Sequence, residues 1–326
     1  MSVVDIENLS IEFPTRRGIL KAIEGLSFSI EAGEILGVVG ESGAGKSLTG
    51  NAIVGLLEPP GRVSGGKITL KGRDITHLSE NEMRRVRGAE IGVIFQDPLT
   101  SLNPLYTVGK QLTQTILTHR NISYSKAKDR AIELLTEVGI PAPELRFDAF
   151  PHEFSGGMRQ RVVIALALCC DPSLIIADEP TTALDVSVQA QIIALLKDLS
   201  RDKGVATMLV THDMGVIAEA ADRVAVIYSG RLVEIGDVRS VIDAPKHPYT
   251  RGLMDSIPQI GQNLKYLPNI EGAMPRLDGR PDGCAFNPRC KMVKPVCREE
   301  IAALRATENA GQMAACWIYD GGHKYV

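Results

Sequence analysis

An α/β fold is predicted by three features of the sequence, each a short apolar run that delivers polar residues at its C-terminal end. Ile35-Leu36-Gly37-Val38-Val39 runs into Gly40-Glu41-Ser42-Gly43-Ala44-Gly45-Lys46-Ser47 and then into a helix-compatible segment from Leu48 to Leu57. Leu174-Ile175-Ile176-Ala177 ends in Asp178-Glu179-Pro180, and the run from Ala206 to Val210 ends in Thr211-His212-Asp213. Near-continuous apolar runs of this length, interrupted only by Thr207 in the last, alternate with helical segments and read as buried parallel strands. In such sheets ligands gather outside the carboxyl ends of the strands.

The bulk properties narrow the field. At 326 residues the chain can hold one large core with appended regions, or two domains. Its 36 Lys+Arg against 39 Asp+Glu give a net charge of −3, which does not point to nucleic acid as a partner. Hydrophobic residues make up 44%, a globular value. The longest apolar run, Val162 to Cys170, falls well short of the roughly 20 residues needed to cross a bilayer and fits a buried helix. The first residues, Met1-Ser2-Val3-Val4-Asp5-Ile6-Glu7, are acidic and lack the basic and apolar regions of a signal peptide, so the chain is expected to stay in the cytosol.

Taken in order, Val3 to Phe13, Leu26 to Ile30 and Lys67 to Leu70 alternate apolar and polar side chains, as strands with one exposed face do. Gly18, Gly25 and Gly33 mark turns between the first of them, and a small antiparallel sheet beside the core is expected. Phe13 either offers an aromatic face to a nucleotide base or is a half-buried strand residue. Gly40 to Ser47 has the strand, turn and helix context of a phosphate-binding loop. Its glycines let successive N–H groups point inward, and the helix that follows adds its positive end. Lys46 is expected to reach the β- and γ-phosphates and the Ser47 hydroxyl to hold Mg²⁺, with Ser42, Gly43, Ala44, Gly45 and Leu48 completing the nucleotide contacts.

Ile91 to Phe95 forms a further strand, stopped by Gln96-Asp97-Pro98. From Val108 to Gly139 the period becomes helical, with apolar residues at Leu112, Ile116, Leu117, Ala131, Leu134, Leu135 and Val138. Ser155-Gly156-Gly157 then precedes the apolar helix Val162 to Cys170. Ser155 stands at an N-cap position, and the glycines expose N–H groups, a second anion-binding terminus that one nucleotide does not need. Asp178 and Glu179 suit a pair in which the first carboxylate supports Mg²⁺ and the second activates water. Ala183-Leu184-Asp185 follows on a turn, leading to a helix from about Val186 to Leu199, and His212 faces the same sheet edge as the loop at 40–47. Tyr228 to Glu234 reads as a hairpin-like end to the core.

In the order Phe13, Gly40–Ser47, Gln96, Ser155-Gly156-Gly157, Asp178-Glu179, Asp185, His212, the sequence resembles the nucleotide-binding subunit of an ABC transporter over roughly residues 1 to 235. One departure is Phe154, where the family usually has leucine before the signature serine. The resemblance implies a head-to-tail pair of such domains, ATP being sandwiched between the loop of one and the Ser155-Gly156-Gly157 turn of the other. It also implies that Glu179 polarises the attacking water, that His212 supports the γ-phosphate and that Gln96 serves at the catalytic centre and on Mg²⁺. The helical lobe would couple the motion to membrane subunits.

Beyond Glu234 the chain changes character. Pro245, Pro248, Pro258, Pro268, Pro275, Pro281, Pro288 and Pro295, with Gly252, Gly261, Gly272, Gly279 and Gly283, leave no room for long helices. Of six cysteines, Cys169 and Cys170 lie in an apolar helix and read as core, whereas Cys284, Cys290, Cys297 and Cys316 cluster in the tail. In a reducing compartment such clustering favours a metal site over disulfides. The intervals of five, six and eighteen residues are wider than zinc knuckles and contain no histidine, and a [4Fe–4S] cluster tolerates wider spacing. Zinc and reduced or disulfide-linked thiols remain the alternatives. His247-Pro248-Tyr249-Thr250 and Gly283-Cys284-Ala285-Phe286-Asn287-Pro288-Arg289-Cys290 resemble the C-terminal extension of the oligopeptide/dipeptide importer ATPases of the DppD/OppD type, which implies a [4Fe–4S] cluster on the four tail cysteines in a structural role.

The expected architecture is thus an α/β P-loop core with an antiparallel β subdomain, a helical subdomain at about 98–158 and a cysteine-stapled extension. The domain division is 1–235 and 236–326. The expected function is ATP hydrolysis driving import of di- or oligopeptides, with another solute such as nickel or glutathione, or a soluble non-transport ABC ATPase, as alternatives. The resemblance implies a second, distinct ATPase subunit, two transmembrane permease subunits and an extracytoplasmic solute-binding protein, with this chain peripheral on the cytoplasmic face of the inner membrane.

Overall fold

The computed structural model describes residues 2–182, 184–257 and 269–319; Ala183, Pro258, Gly261 and Pro268, used in the sequence reading, lie outside them. The described strands are β1 (Ser2–Thr15), β2 (Gly18–Glu31), β3 (Ile35–Val39), β4 (Arg62–Leu70), β5 (Arg73–Asp74), β6 (Ile91–Ile94), β7 (Leu174–Asp178), β8 (Ala206–Val210), β9 (Arg223–Tyr228), β10 (Arg231–Asp237), β11 (Arg305–Ala306) and β12 (Met313–Ala314).

They form two sheets. The larger has the order β11-β12-β10-β9-β3-β8-β7-β6, with β6, β7, β8, β3 and β9 parallel and the remaining pairs antiparallel. Every residue of β3 and β8 is buried, because helices or the smaller sheet cover both faces. Alternate residues of β3 serve opposite sides: Ile35 and Val39 join the core shared with the helices, Leu36 and Val38 the core shared with the smaller sheet. In register, Val38 and Asp178 both pair with Val210. The segments that leave β3, β7 and β8 therefore emerge level at one edge, which is where the site lies.

The smaller sheet, β2-β1-β4-β5, is antiparallel, as the alternation predicts. β1 matches its alternating stretch closely, whereas β2 and β4 begin well before theirs, and Gly25, read as a turn residue, sits inside β2. Its φ of 66° accompanies register shifts opposite Leu9 and Ile11, so the glycine serves a bulge and not a reversal.

The helical stretch predicted from Val108 to Gly139 divides into Val108–His119 and Tyr124–Glu137. Arg120 is extended, and Ser123 caps the second helix by accepting the Lys126 N–H at 3.4 Å. Leu112 and Ile116 on one helix and Ala131, Leu134 and Leu135 on the other are fully buried. The apolar helix expected at Val162–Cys170 begins earlier, at Gly156, and ends at Ala167.

The tail does not hang from the core as a separate loop. Helices Val238–Asp243 and Pro248–Asp255 pack behind it, and β12 pairs with β10, so the extension prolongs the central sheet. The 235/236 boundary falls inside β10. Fully buried Glu234 on β10 accepts the N–H groups of Lys246 and His247, both at 2.8 Å, and the Gln312 side-chain amide at 2.7 Å. Three fixed donors thus offset the cost of burying that carboxylate. No described helix is long and apolar enough to cross a membrane.

Candidate functional site

The loop after β3 can adopt its path only with glycine at two points. Gly40 has φ 155°, and a Cβ there would meet the Ile227 carbonyl oxygen at 2.2 Å; Gly45 has φ 108°, and a Cβ would strike Ile23 Cδ1 at 2.3 Å. The helix Lys46–Ile53 starts immediately after. Lys46 is buried and folds back on the loop, donating to the carbonyl oxygens of Gly40 at 2.8 Å and Glu41 at 3.1 Å. Burial lowers the pKa of its ammonium, against the opposing pull of Glu179, Asp178 and Glu41.

The ends of β7 and β8 meet this loop. Ser47 donates to Asp178 Oδ1 at 3.0 Å, and burial pushes the Asp178 carboxyl above its ordinary value. Glu179 follows with φ 48°, a left-handed conformation uncommon for a side chain of its size, and its N–H donates to the Val210 carbonyl at 2.8 Å. Gln96 Nε2 donates to Glu179 Oε2 at 2.8 Å, the Thr182 hydroxyl donates to the same oxygen at 3.0 Å, and His212 Nδ1 lies 2.9 Å from Oε1. Burial would raise the Glu179 pKa, but the bonds from His212 and Thr182 outweigh it and hold the carboxyl below its usual range. Glu179 is therefore an ionised acceptor at neutral pH, gripped from three sides.

These groups wall a cavity of about 710 Å³. Lys46, Ser47, Gln96, Glu179 and His212 line its polar end, with Ser42, Gly43, Gly45 and Leu48 along the loop; Phe13, Ala22 and Leu277 make an apolar part of the wall. Ala44 is buried inside the loop, and Asp178 reaches the site through Ser47. The hydroxyl of Ser47, the carboxylate of Asp178 and the amide oxygen of Gln96 are the hard oxygen donors that Mg²⁺ requires.

Ser155, Gly156 and Gly157 are not among the residues that line this cavity. Ser155 caps the helix Gly156–Ala167, accepting the Met158 N–H at 3.4 Å, and a Cβ at Gly157 would strike Val188 Cγ1 at 2.6 Å. Phe154 is buried, with the Arg146 guanidinium 5.7 Å above its ring, so the larger side chain still anchors the turn. Asp185 caps the helix Val186–Lys203.

The extension touches the phosphate loop directly. Tyr249 Oη accepts the Glu41 N–H at 2.8 Å, and Arg289 Nη1 donates to both Glu41 carboxylate oxygens at 2.9 and 3.0 Å and to Tyr228 Oη at 3.2 Å. Phe286 packs against Tyr228 and Tyr249, with ring centroids 5.2 and 5.5 Å apart. Near these residues Cys284 N–H donates to the Cys297 carbonyl at 2.8 Å. All six cysteines are free thiols. Burial raises the pKa of Cys284, Cys290 and Cys316, the last to about 11, and the neighbouring tail thiols raise each further. Among the described residues, no group of three or more His, Cys, Asp or Glu side chains is set to hold a metal ion. Cys284 and Cys290 flank one 3₁₀ turn, Asn287–Arg289; Cys297 lies in a second, Pro295–Arg298, and Cys316 precedes a third, Trp317–Tyr319. Cys169 and Cys170 are core residues, as expected.

Three groups that sequence reasoning passed over belong to the site, Ala22 among them, on the part of β2 before its alternating stretch. Thr182 could have been flagged by its place three residues after Glu179; Leu277, in the proline-punctuated tail, gave no signal.

The comparisons with known proteins agree with this geometry. A family described as "ABC transporter" matches residues 23–182, and one described as "Oligopeptide/dipeptide transporter, C-terminal region" matches residues 233–297. The chain is 45% identical to the dipeptide transport ATP-binding protein DppD of Escherichia coli (strain K12), over 97% of this chain and 96% of that one. It is 52% identical to the oligopeptide transport ATP-binding protein OppD of Bacillus subtilis (strain 168), over 87% of this chain and 80% of that one. Among solved structures, the ATP-binding cassette MJ0796, a dimer in a post-hydrolysis state bound to ADP and Pi, matches with a TM-score of 0.65 and 28% identity, over 72% of this chain and 99% of that one.

Proposed function

This chain belongs to the ATP-binding subunits of the oligopeptide/dipeptide ABC transporters, and from that premise we propose that it hydrolyses ATP to drive import of peptides through a membrane complex. The observation that carries the reading is the convergence of Gln96, Thr182 and His212 on one ionised carboxylate, Glu179, beside Lys46 and Ser47 in a single cavity. In this reading the loop N–H groups and Lys46 hold the phosphates, and Lys46 exchanges its bonds to the Gly40 and Glu41 carbonyls for phosphate oxygens. Glu179 accepts a hydrogen bond from the attacking water and orients it in line with the γ-phosphate, as a positioned carboxylate can at neutral pH. His212 steadies the γ-phosphate, and Gln96 links the centre to the helical lobe. Mg²⁺, held by Ser47, Asp178 and Gln96, would neutralise charge on the β- and γ-oxygens.

The Ser155-Gly156-Gly157 turn serves a second ATPase chain in a head-to-tail pair, most simply a distinct paralogue, and the partner's turn closes this cavity. The helical lobe meets two permease subunits. That part of the reading is supported by a cavity of about 800 Å³ lined by Leu145, Arg146, Phe150 and His152, and by exposed Leu99 and Leu105 at the start of the lobe. An extracytoplasmic binding protein delivers the peptide, and this chain is peripheral on the cytoplasmic face of the inner membrane. Residues 1–235 form the nucleotide-binding unit and 236–326 the extension. Cys284, Cys290, Cys297 and Cys316 hold a [4Fe–4S] cluster in a structural role; the mutual influence of their thiols supports this, and a four-iron cluster, larger than one ion, does not require them to close on a single point.

The test is recovery of the chain from membranes with its permease and ATPase partners, followed by reconstitution in vesicles. ATP on the side carrying this chain is expected to drive accumulation of dipeptide on that side. Recovery with ribosomes and without membrane proteins would overturn the reading.

A further inference from the structure

We propose that Leu277, carried by the C-terminal extension, is a nucleotide-binding residue that packs on the base and ribose of ATP from the apolar part of the wall it shares with Phe13 and Ala22. The inference deepens the ATPase reading and rests on it. Three observations carry it. Leu277 lines the same cavity as Lys46, Ser47 and Glu179, although it lies more than two hundred residues beyond Lys46 and Ser47 in sequence. It is half-buried while its neighbours Arg276 and Asp278 are exposed, so the segment turns its one apolar side chain inward.

The segment is also held in place at both ends. On one side Met274 packs against both hydrophobic cores, with its Cε 3.4 Å from where a Gly43 Cβ would stand in the phosphate loop. On the other, Arg280 donates to Ser229 Oγ at 3.2 Å, to Glu24 at 3.2 Å and to the Lys21 carbonyl at 3.1 Å, beside Ala22. The short 3₁₀ turn Leu277–Gly279 between them is closed by the Gly279 N–H on the Arg276 carbonyl at 3.0 Å. A leucine fixed in this way presents CH groups to whatever fills the apolar end of the cavity. Every nucleobase has an apolar face, and the side chain has no hydrogen-bonding group with which to choose among bases. It therefore adds affinity for a nucleoside and none for the triphosphate chain.

The experiment measures equilibrium binding of ATP, GTP and inorganic tripolyphosphate to the full chain, comparing wild type with Leu277→Ala, Leu277→Met and Lys46→Ala. Leu277→Ala is expected to weaken ATP and GTP alike by about fivefold and to leave tripolyphosphate within about twofold, with Leu277→Met restoring nucleotide affinity. Unchanged ATP binding in Leu277→Ala, or an equal loss of tripolyphosphate binding, would overturn the proposal. The Lys46→Ala variant separates it from the parent reading. If wild type binds nucleotide and triphosphate and Lys46→Ala loses both, the loop stands whatever Leu277 does; if wild type binds neither, the ATPase reading fails and Leu277 falls with it.

Discussion

In the core sheet the strands that carry the site are short, parallel and buried on both faces, whereas the extension offers two-residue strands and 3₁₀ turns held by single side chains. β3 is fixed by dispersed apolar contacts on both sides, so no one of them decides its position. The extension hangs on Glu234 with its three donors, on Arg289 bridging Glu41 and Tyr228, and on Phe286 among the rings of Tyr228, Tyr249 and His247. The two regions are therefore vulnerable in different ways. Polar changes in the core should alter chemistry and leave the fold standing, while polar changes in the extension should alter structure first.

The largest effect expected from a single side chain is in the core. Glu179→Gln keeps the size but turns one acceptor oxygen into a donor and removes the negative charge that orients water, and is expected to lower kcat by about 10²- to 10⁴-fold with ATP binding retained. Phosphate release measured beside ATP binding checks this. Wild-type turnover in the variant would remove Glu179 from the chemistry.

Next comes Glu234→Ala, which leaves the N–H groups of Lys246 and His247 and the Gln312 amide buried without an acceptor. Roughly 3 kcal/mol or more should be lost, enough to free the extension. Limited proteolysis should then cut the segment after β10 while the core resists. A variant as resistant as wild type would show that the extension is held by distributed packing, as the core is.

A third contrast is pH. His247 is buried, and burial lowers its pKa from 6.5 to about 3. In the unfolded chain the ring gains a proton near its ordinary value, in the folded chain only far below it. Its contribution is therefore intact above pH 6.5 and is lost as pH falls towards 3, by roughly 2 kcal/mol at pH 5. Urea unfolding followed at the extension should show that slope. His247→Asn retains a side-chain acceptor for the Tyr249 N–H, now 3.1 Å from Nδ1, and should flatten it. An equal slope in the variant would assign the acid sensitivity elsewhere.

The same contrast explains what the sequence disclosed. β3, β7 and β8 were legible because burial on both faces demands continuous apolar runs, and Gly40, Lys46 and Ser47 because few residue types fit a phosphate loop. The antiparallel sheet was legible from alternation, but its length was not, since Gly25 at a bulge looks the same in sequence as Gly18 at a turn. The break at Arg120–Ser123 escaped because the same helical spacing resumes beyond it, although the pattern lapses between Leu117 and Ala131. In the extension, periodicity had nothing to act on. The pairing of β12 with β10, the grip of Arg289 on Glu41 and the inward turn of Leu277 depend on single contacts between residues far apart in sequence, and local pattern does not encode those.

In the proposed function the cavity behind Gly40–Ser47 is half of a site, with this chain's Ser155-Gly156-Gly157 turn offered to another molecule. The direct test is Ser155→Arg, a bulky charge placed on the turn and outside the chain's own cavity. ATP binding by the isolated chain should stay within about twofold of wild type, while ATP-dependent closure with the partner ATPase and hydrolysis by the complex are lost. Loss of ATP binding by the isolated, folded variant would place Ser155 in its own chain's pocket and contradict the claim.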